Sequence, residues 1–246
     1  MSLITAADAL NAAVAETEPV KRSEKFFEAC VLLFKSGCFN DALKYLPEIQ
    51  VPELFIKIAT DDYFNMKLSE MGMVNKLQEV LKQAQVKLDS LSEGNSKINL
   101  ALKIAVSYFR IGLIQETHKI IKYVLDALKR YTEGDRDELL CSLVDVQSKI
   151  GDFKESRETV SEIKNPFFKS LALLYIVKAF SFKEQTDEAI LVANEIEDPI
   201  QRSNAFTYIA VALIKKRNIH EAKLIAALIT VPAWRERVEH WIKVYK

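Results

Sequence analysis

The chain has 246 residues, 49% of them hydrophobic and 28% charged, with 34 Lys+Arg balanced by 34 Asp+Glu. That length can bury a sizeable core, and that composition is the ordinary one of globular proteins. Zero net charge gives the whole chain no electrostatic pull towards nucleic acid or membrane, and six Gly and six Pro leave room only for long elements with short joints.

Residues 2–16 read as a short amphipathic helix or a loose segment. The stretch has no basic start and carries Asp8 within its apolar part, which is not the pattern of a secretory signal peptide. The longest apolar runs, such as LALLYIV at 171–177, are too short to span a bilayer. Cys30, Cys38 and Cys141 are odd in number and lack C-x-x-C spacing, the pattern of reduced thiols rather than a disulfide framework. A cytoplasmic location is expected.

From residue 22 onwards two phrases recur. One is a short turn, an acidic residue and a small residue: SGCFNDAL at 36–43, IGDFKESR at 150–157 and RNIHEAKL at 217–224. Taking the small residue as an anchor gives Ala42, Ser156, Ala189 and Ala222, and the same spacing from Gly72 and Gly112 gives Leu77 and Thr117. The second phrase, EIKNPFFKS, EIEDPIQRS and LITVPAWRE, places an isoleucine seven and a proline ten residues past the anchor. Ile49, Ile163, Ile196 and Ile229 fill the first slot; Pro52, Pro166, Pro199 and Pro232 fill the second. After Leu77 and Thr117 the proline is missing and a glycine stands seventeen residues on, Gly94 or Gly134. The seven extra residues amount to two helical turns, so the second helix of those two repeats should be longer.

Glycine in these turns permits a left-handed helix end, and proline suits the first turn of the next helix. Between the joints apolar residues recur at steps of three and four, as in Phe206, Ile209, Ala210, Leu213 and Ile214, and no stretch alternates with period two. The fold class is therefore all-α. Periodic helix pairs of this size each bury little alone and stack on their neighbours.

The arrangement resembles the tetratricopeptide repeat (TPR) family. GDFKES at 151–156 is similar to that family's turn motif, and Cys30, Ala105 and Ala210 take the slot where it favours a small residue. Phe26, Leu140, Leu173 and Phe206 resemble its large packing residue. Departures are an earlier proline, units of 33 to 40 residues, and Val144, Val177 and Asn65 in the small slot. The resemblance implies a right-handed α–α superhelix (solenoid) of about six antiparallel helix pairs over 22–231. Residues 232–246, with Trp234, Val238, Trp241 and Tyr245 on one face, would form a C-terminal capping helix.

No catalytic or nucleotide-binding motif stands in the sequence, and His118, His220 and His240 have no ligand-spaced neighbour. Asp135, Asp137 and Glu138 read as the acidic start of a helix. No metal, cofactor or catalytic residue is expected. By the geometry that the resemblance implies, a concave groove would be lined by Cys141, Asp145 and Lys149, by Leu174, Lys178 and Phe182, by Thr207, Val211 and Lys215, and by Arg110. Lys35, Arg110, Lys149 and Lys215 share one slot and could receive an acidic peptide, or simply favour a helix C-terminus. Residues 200–246 hold nine basic and three acidic groups, whereas 132–162 hold nine acidic and four basic, an asymmetry able to steer a partner. The function expected is non-catalytic binding of a peptide or helix from another protein, as adaptor, scaffold or chaperone-like module. RNA binding by helical repeats and a regulatory domain of a larger enzyme system are the alternatives, and a homodimer is possible.

Overall fold

The computed structural model describes residues 5–131 and 133–245, with the backbone alone described at 133–135. The fold is all-helical, and no strand occurs among the described residues. The chain divides into two compact halves, 1–126 and 127–246.

The first half contains α1 (Ala6–Ala15), α2 (Pro19–Lys35), α3 (Phe39–Tyr45), α4 (Pro52–Ala59), α5 (Asp62–Glu70), α6 (Val74–Asp89) and α7 (Asn95–Arg110), then all but the last two residues of α8 (Ile114–Leu128). Helix α1 is closed by a capping box between Thr5 and Asp8 and packs on α2, where Ala9 and Ala13 are buried. Helix α2 also packs on α3 and α4, and α4 packs on α6 and α7. The second half contains α9 (Glu133–Ile150), α10 (Phe153–Glu162), α11 (Pro166–Phe182), α12 (Thr186–Asn194), α13 (Pro199–Lys215), α14 (Ile219–Ala227) and α15 (Pro232–Val244). Here α9, α11, α13 and α15 each touch the next in that order, while α10, α12 and α14 fill in against them.

One register runs through both halves. All six anchors, Ala42, Leu77, Thr117, Ser156, Ala189 and Ala222, are fully buried. Five residues before each stands a left-handed residue: Gly37, Gly72, Gly112, Gly151, Glu184 and Arg217, with φ between 60° and 93°. Each such turn closes with the same hydrogen bond, from the N–H four residues before the anchor to the carbonyl nine before it. Cys38 to Leu33, Met73 to Leu68, Leu113 to Tyr108, Asp152 to Gln147, Gln185 to Phe180 and Asn218 to Leu213 span 2.9 to 3.0 Å. This is the Schellman closure of a helix end, which satisfies a carbonyl that the helix itself leaves over.

The proline joints follow the same ruler. Pro52, Pro166, Pro199 and Pro232 occupy the first turn of α4, α11, α13 and α15, where the missing N–H costs nothing. Ile49, Ile163, Ile196 and Ile229 are buried just before them; each such side chain removed from water contributes roughly 1.5–3 kcal/mol. As expected, α6 and α8 have 16 and 15 residues against 9 or 10 for α10, α12 and α14.

Several expectations need correction. The helix expected before Leu77 is broken into α4 and α5, because Thr60 bonds back to the Ile56 carbonyl at 2.8 Å and Asp61 caps a new helix by accepting the Phe64 N–H at 2.9 Å. Gly94 is an extended N-cap residue of α7 rather than a left-handed cap, and Gly134 lies inside α9. The loop before α7 is held instead by Lys97, whose buried ammonium donates to the Leu91 carbonyl at 2.9 Å and to Glu93 at 3.2 Å. Asp137 lies near the start of α9, as expected, but its carboxylate is buried and bonded to the backbone of another segment rather than to its own helix end. The side chain of Asp135 lies outside the described residues. On α15 the buried face is Val238 and Ile242, with Trp234 and Trp241 half-buried and Tyr245 exposed.

Candidate partner-binding surface

Each proline joint is latched by a polar side chain nineteen residues before the anchor. Ser23 accepts the Gln50 N–H at 2.9 Å, and Ser203 accepts the Thr230 N–H at 3.1 Å. Asp137 accepts the N–H groups of Lys164 at 3.2 Å and Asn165 at 2.7 Å, and Ser170 takes that of Asp198 at 3.4 Å. All four side chains are buried, so a missing acceptor would leave a polar backbone group without water. The two repeats without a proline joint carry Ile58 and Ile98 at the same slot. One residue earlier every repeat has a cation: Arg22, Lys57, Lys97, Arg136, Lys169 and Arg202. Arg22 pairs with Glu48 at 3.1 Å, Arg136 pairs with Glu162, and Lys57 stands 5.5 Å over the Phe27 ring. These contacts tie the opening turns of these helices to the joint or helix beside them.

That framework positions the side chains expected to face a partner. Cys141, Asp145 and Lys149 lie on α9, Leu174, Lys178 and Phe182 on α11, and Thr207, Val211 and Lys215 on α13, three helices in successive contact. On each helix exposure rises towards the C-terminal end. Cys141 and Leu174 are buried and give a partner almost no surface. Asp145, Lys178, Thr207 and Val211 are half-buried, whereas Lys149, Lys215 and Phe182 are exposed, Phe182 at 66%. Arg110 belongs to the other half, where it is exposed at the end of α7 and pairs with Asp62.

The cations in this row are not equivalent. Lys149 pairs with Asp145 one turn away at 2.5 Å, and Lys178 stands 5.5 Å over the Tyr208 ring. No carboxylate among the described residues pairs with Lys215. Burial pushes the Cys141 thiol up to about 12, with Asp145 and Glu138 adding to it, so it is a neutral packing group rather than a nucleophile. The phenol of Tyr175 is raised as well, first by burial and then by Cys141 and Asp145 beside it. Tyr175 and Tyr208 flank the expected slots by one residue, and their paired spacing of fourteen before Ala189 and Ala222 was the sequence signal for them.

At the C-terminal end of α13 the surface deepens into a groove of about 500 Å³, lined by Val211, Ile214, Lys215, Arg217, Trp241 and Tyr245. Two of the expected residues, Val211 and Lys215, thus share a cavity with two aromatic side chains of α15 and its following turn. Among the described residues no helix is long and apolar enough to cross a membrane, and no group of three or more His, Cys, Asp or Glu side chains could hold a metal ion.

No protein-family model and no curated protein matches the chain. Among solved structures it is similar to the crystal structure of Ton1535 from Thermococcus onnurineus NA1, at 11% identity and a TM-score of 0.40, over 98% of this chain and 96% of that one. A likeness of that size carries no argument about fold family or function.

Proposed function

We propose that the chain is a non-catalytic protein-interaction module, an adaptor, scaffold or chaperone-like protein that binds a peptide or helix of another protein. Each half, taken by itself, is on this reading a TPR-like run of stacked helix pairs, with α15 as the cap of the second. The observation that supports it is the common register of α9, α11 and α13. Latched joints and identical turns bring Asp145, Lys178 and Val211, and then Lys149, Phe182 and Lys215, to corresponding places on three neighbouring helices. A repeated scaffold that presents non-repeated side chains is what recognition of an extended ligand requires.

Affinity capture with the native chain and with a Lys178→Glu/Lys215→Glu variant tests the reading. The native chain should retain a partner that the variant loses without a change in thermal stability. An unchanged set of captured proteins would count against this surface.

A further inference from the structure

The groove beneath Trp241 shows what kind of ligand its chemistry favours. Its walls are aliphatic and aromatic, from Val211, Ile214, Trp241 and Tyr245, and its polar edge consists of two cations, Lys215 and Arg217. No carboxylate lines it, and none among the described residues pairs with either cation. The neighbouring Lys216 contrasts with them, being engaged by the Glu184 carboxylate at 3.1 Å. Arg237 adds a third positive group by stacking 4.8 Å over the Trp241 ring.

Arg217 is also held in a left-handed conformation, φ 60°, at a turn position where four of the six repeats have glycine. A side chain costs stability there, and strain of that kind concentrates where function requires the residue. The other non-glycine residue in that position, Glu184, uses its side chain and carbonyl to hold Lys216. Arg217 makes no such side-chain contact among the described residues; it lines the groove instead.

We infer that this groove is a binding subsite for an acidic peptide segment carrying one bulky apolar side chain. The apolar side chain would enter against Trp241 and Val211, with flanking carboxylates on Lys215 and Arg217. The inference rests on the protein-interaction reading above and narrows it to one ligand chemistry. Cations at the rim of an apolar cleft without internal counter-charges favour an incoming anion and repel a basic peptide.

The test uses Trp241 as its own reporter. In the full chain with Trp234→Phe, Trp241 fluorescence is titrated with the acetylated, amidated peptide Glu-Glu-Phe-Glu-Glu. The same titration is run with its Gln-Gln-Phe-Gln-Gln and Glu-Glu-Ala-Glu-Glu analogues and with hexauridylate. The expected result is a saturable change with the first peptide and at least tenfold weaker binding by both analogues. Arg217→Gly should weaken the first peptide by a similar factor while raising the melting temperature, a combination that a purely structural arginine would not produce. Equal binding of all peptides, or none at all, would overturn the inference, and tighter binding of hexauridylate would assign the groove to nucleic acid. Failure of this subsite alone would leave partner capture sensitive to Lys178→Glu, whereas failure of the interaction reading would abolish that sensitivity too.

Discussion

Asp137 in the second turn of α9 reaches across 28 residues to accept the backbone N–H of Asn165 at 2.7 Å, immediately before Pro166 opens α11. The same carboxylate takes the N–H of Lys164. One buried side chain thereby satisfies two backbone donors at the place where the chain must leave one helix and enter the next.

Asp137→Ala should therefore destabilise the second half more than Ser170→Ala does. Removing the shared buried acceptor should cost about 1–3 kcal/mol, since the donors lose a charged partner and gain no water. Ser170 accepts a single longer bond at 3.4 Å and should cost less. Urea midpoints, together with faster hydrogen exchange at Lys164 and Asn165 in the first variant only, check the ordering.

The left-handed turns predict opposite signs for two kinds of substitution. Arg217→Gly should stabilise the chain by roughly 1 kcal/mol, because a side chain in that conformation carries a cost glycine avoids. Gly112→Ala should destabilise by a similar amount, for nothing lies within 4 Å of the added methyl group and only the backbone term changes. Glu184→Gly should gain less than Arg217→Gly, because it also removes the ion pair with Lys216. Thermal denaturation of the three variants reads out the order directly.

Thiol accessibility distinguishes buried from exposed cysteines. Cys30 and Cys141 are buried, with thiols pushed up to about 12, while Cys38 is exposed. A thiol reagent at pH 8 should label one cysteine per native chain, Cys38, and all three after denaturation. Rapid labelling of Cys141 in the native protein would contradict its place in the packing between α9 and its neighbours.

Stability should fall on the alkaline side. Cys30 and Cys141 titrate at 9.0 when unfolded and Tyr108 at 10.0, but burial moves each to about 12 in the folded chain. Above pH 9 the unfolded chain therefore releases protons that the folded chain still holds, and unfolding becomes easier with every further step in pH until about 12. The urea midpoint should decline from pH 9 upwards, and Cys30→Ser should flatten that decline.

Much of this framework was legible in the sequence because Gly and Pro mark backbone states that other residues avoid. The anchors, the proline-led helices α4, α11, α13 and α15, and the longer α6 and α8 all followed from those marks. The left-handed turns at Glu184 and Arg217 did not, since neither residue type signals positive φ. The latch was visible only once its partner was known: Ser23, Asp137, Ser170 and Ser203 are ordinary surface letters until their slot is compared with Ile58 and Ile98. The break at Thr60 was hidden because side-chain bonds to backbone, not a Gly or Pro, end α4. The groove joining Val211 and Lys215 to Trp241 and Tyr245 depends on how α15 lies against α13, which no periodicity within one helix specifies.

The most direct test of the interaction surface is a scan with a photo-crosslinking amino acid in the native cell. Three positions lie on the first helices, Lys178, Val211 and Lys215, and three exposed ones lie on the second helices, Lys154, Leu191 and Leu224. A common crosslinked partner from the first set, absent from the second, is the predicted result. Crosslinks to that partner from Lys154, Leu191 and Leu224 but none from Lys178, Val211 and Lys215 would contradict the account.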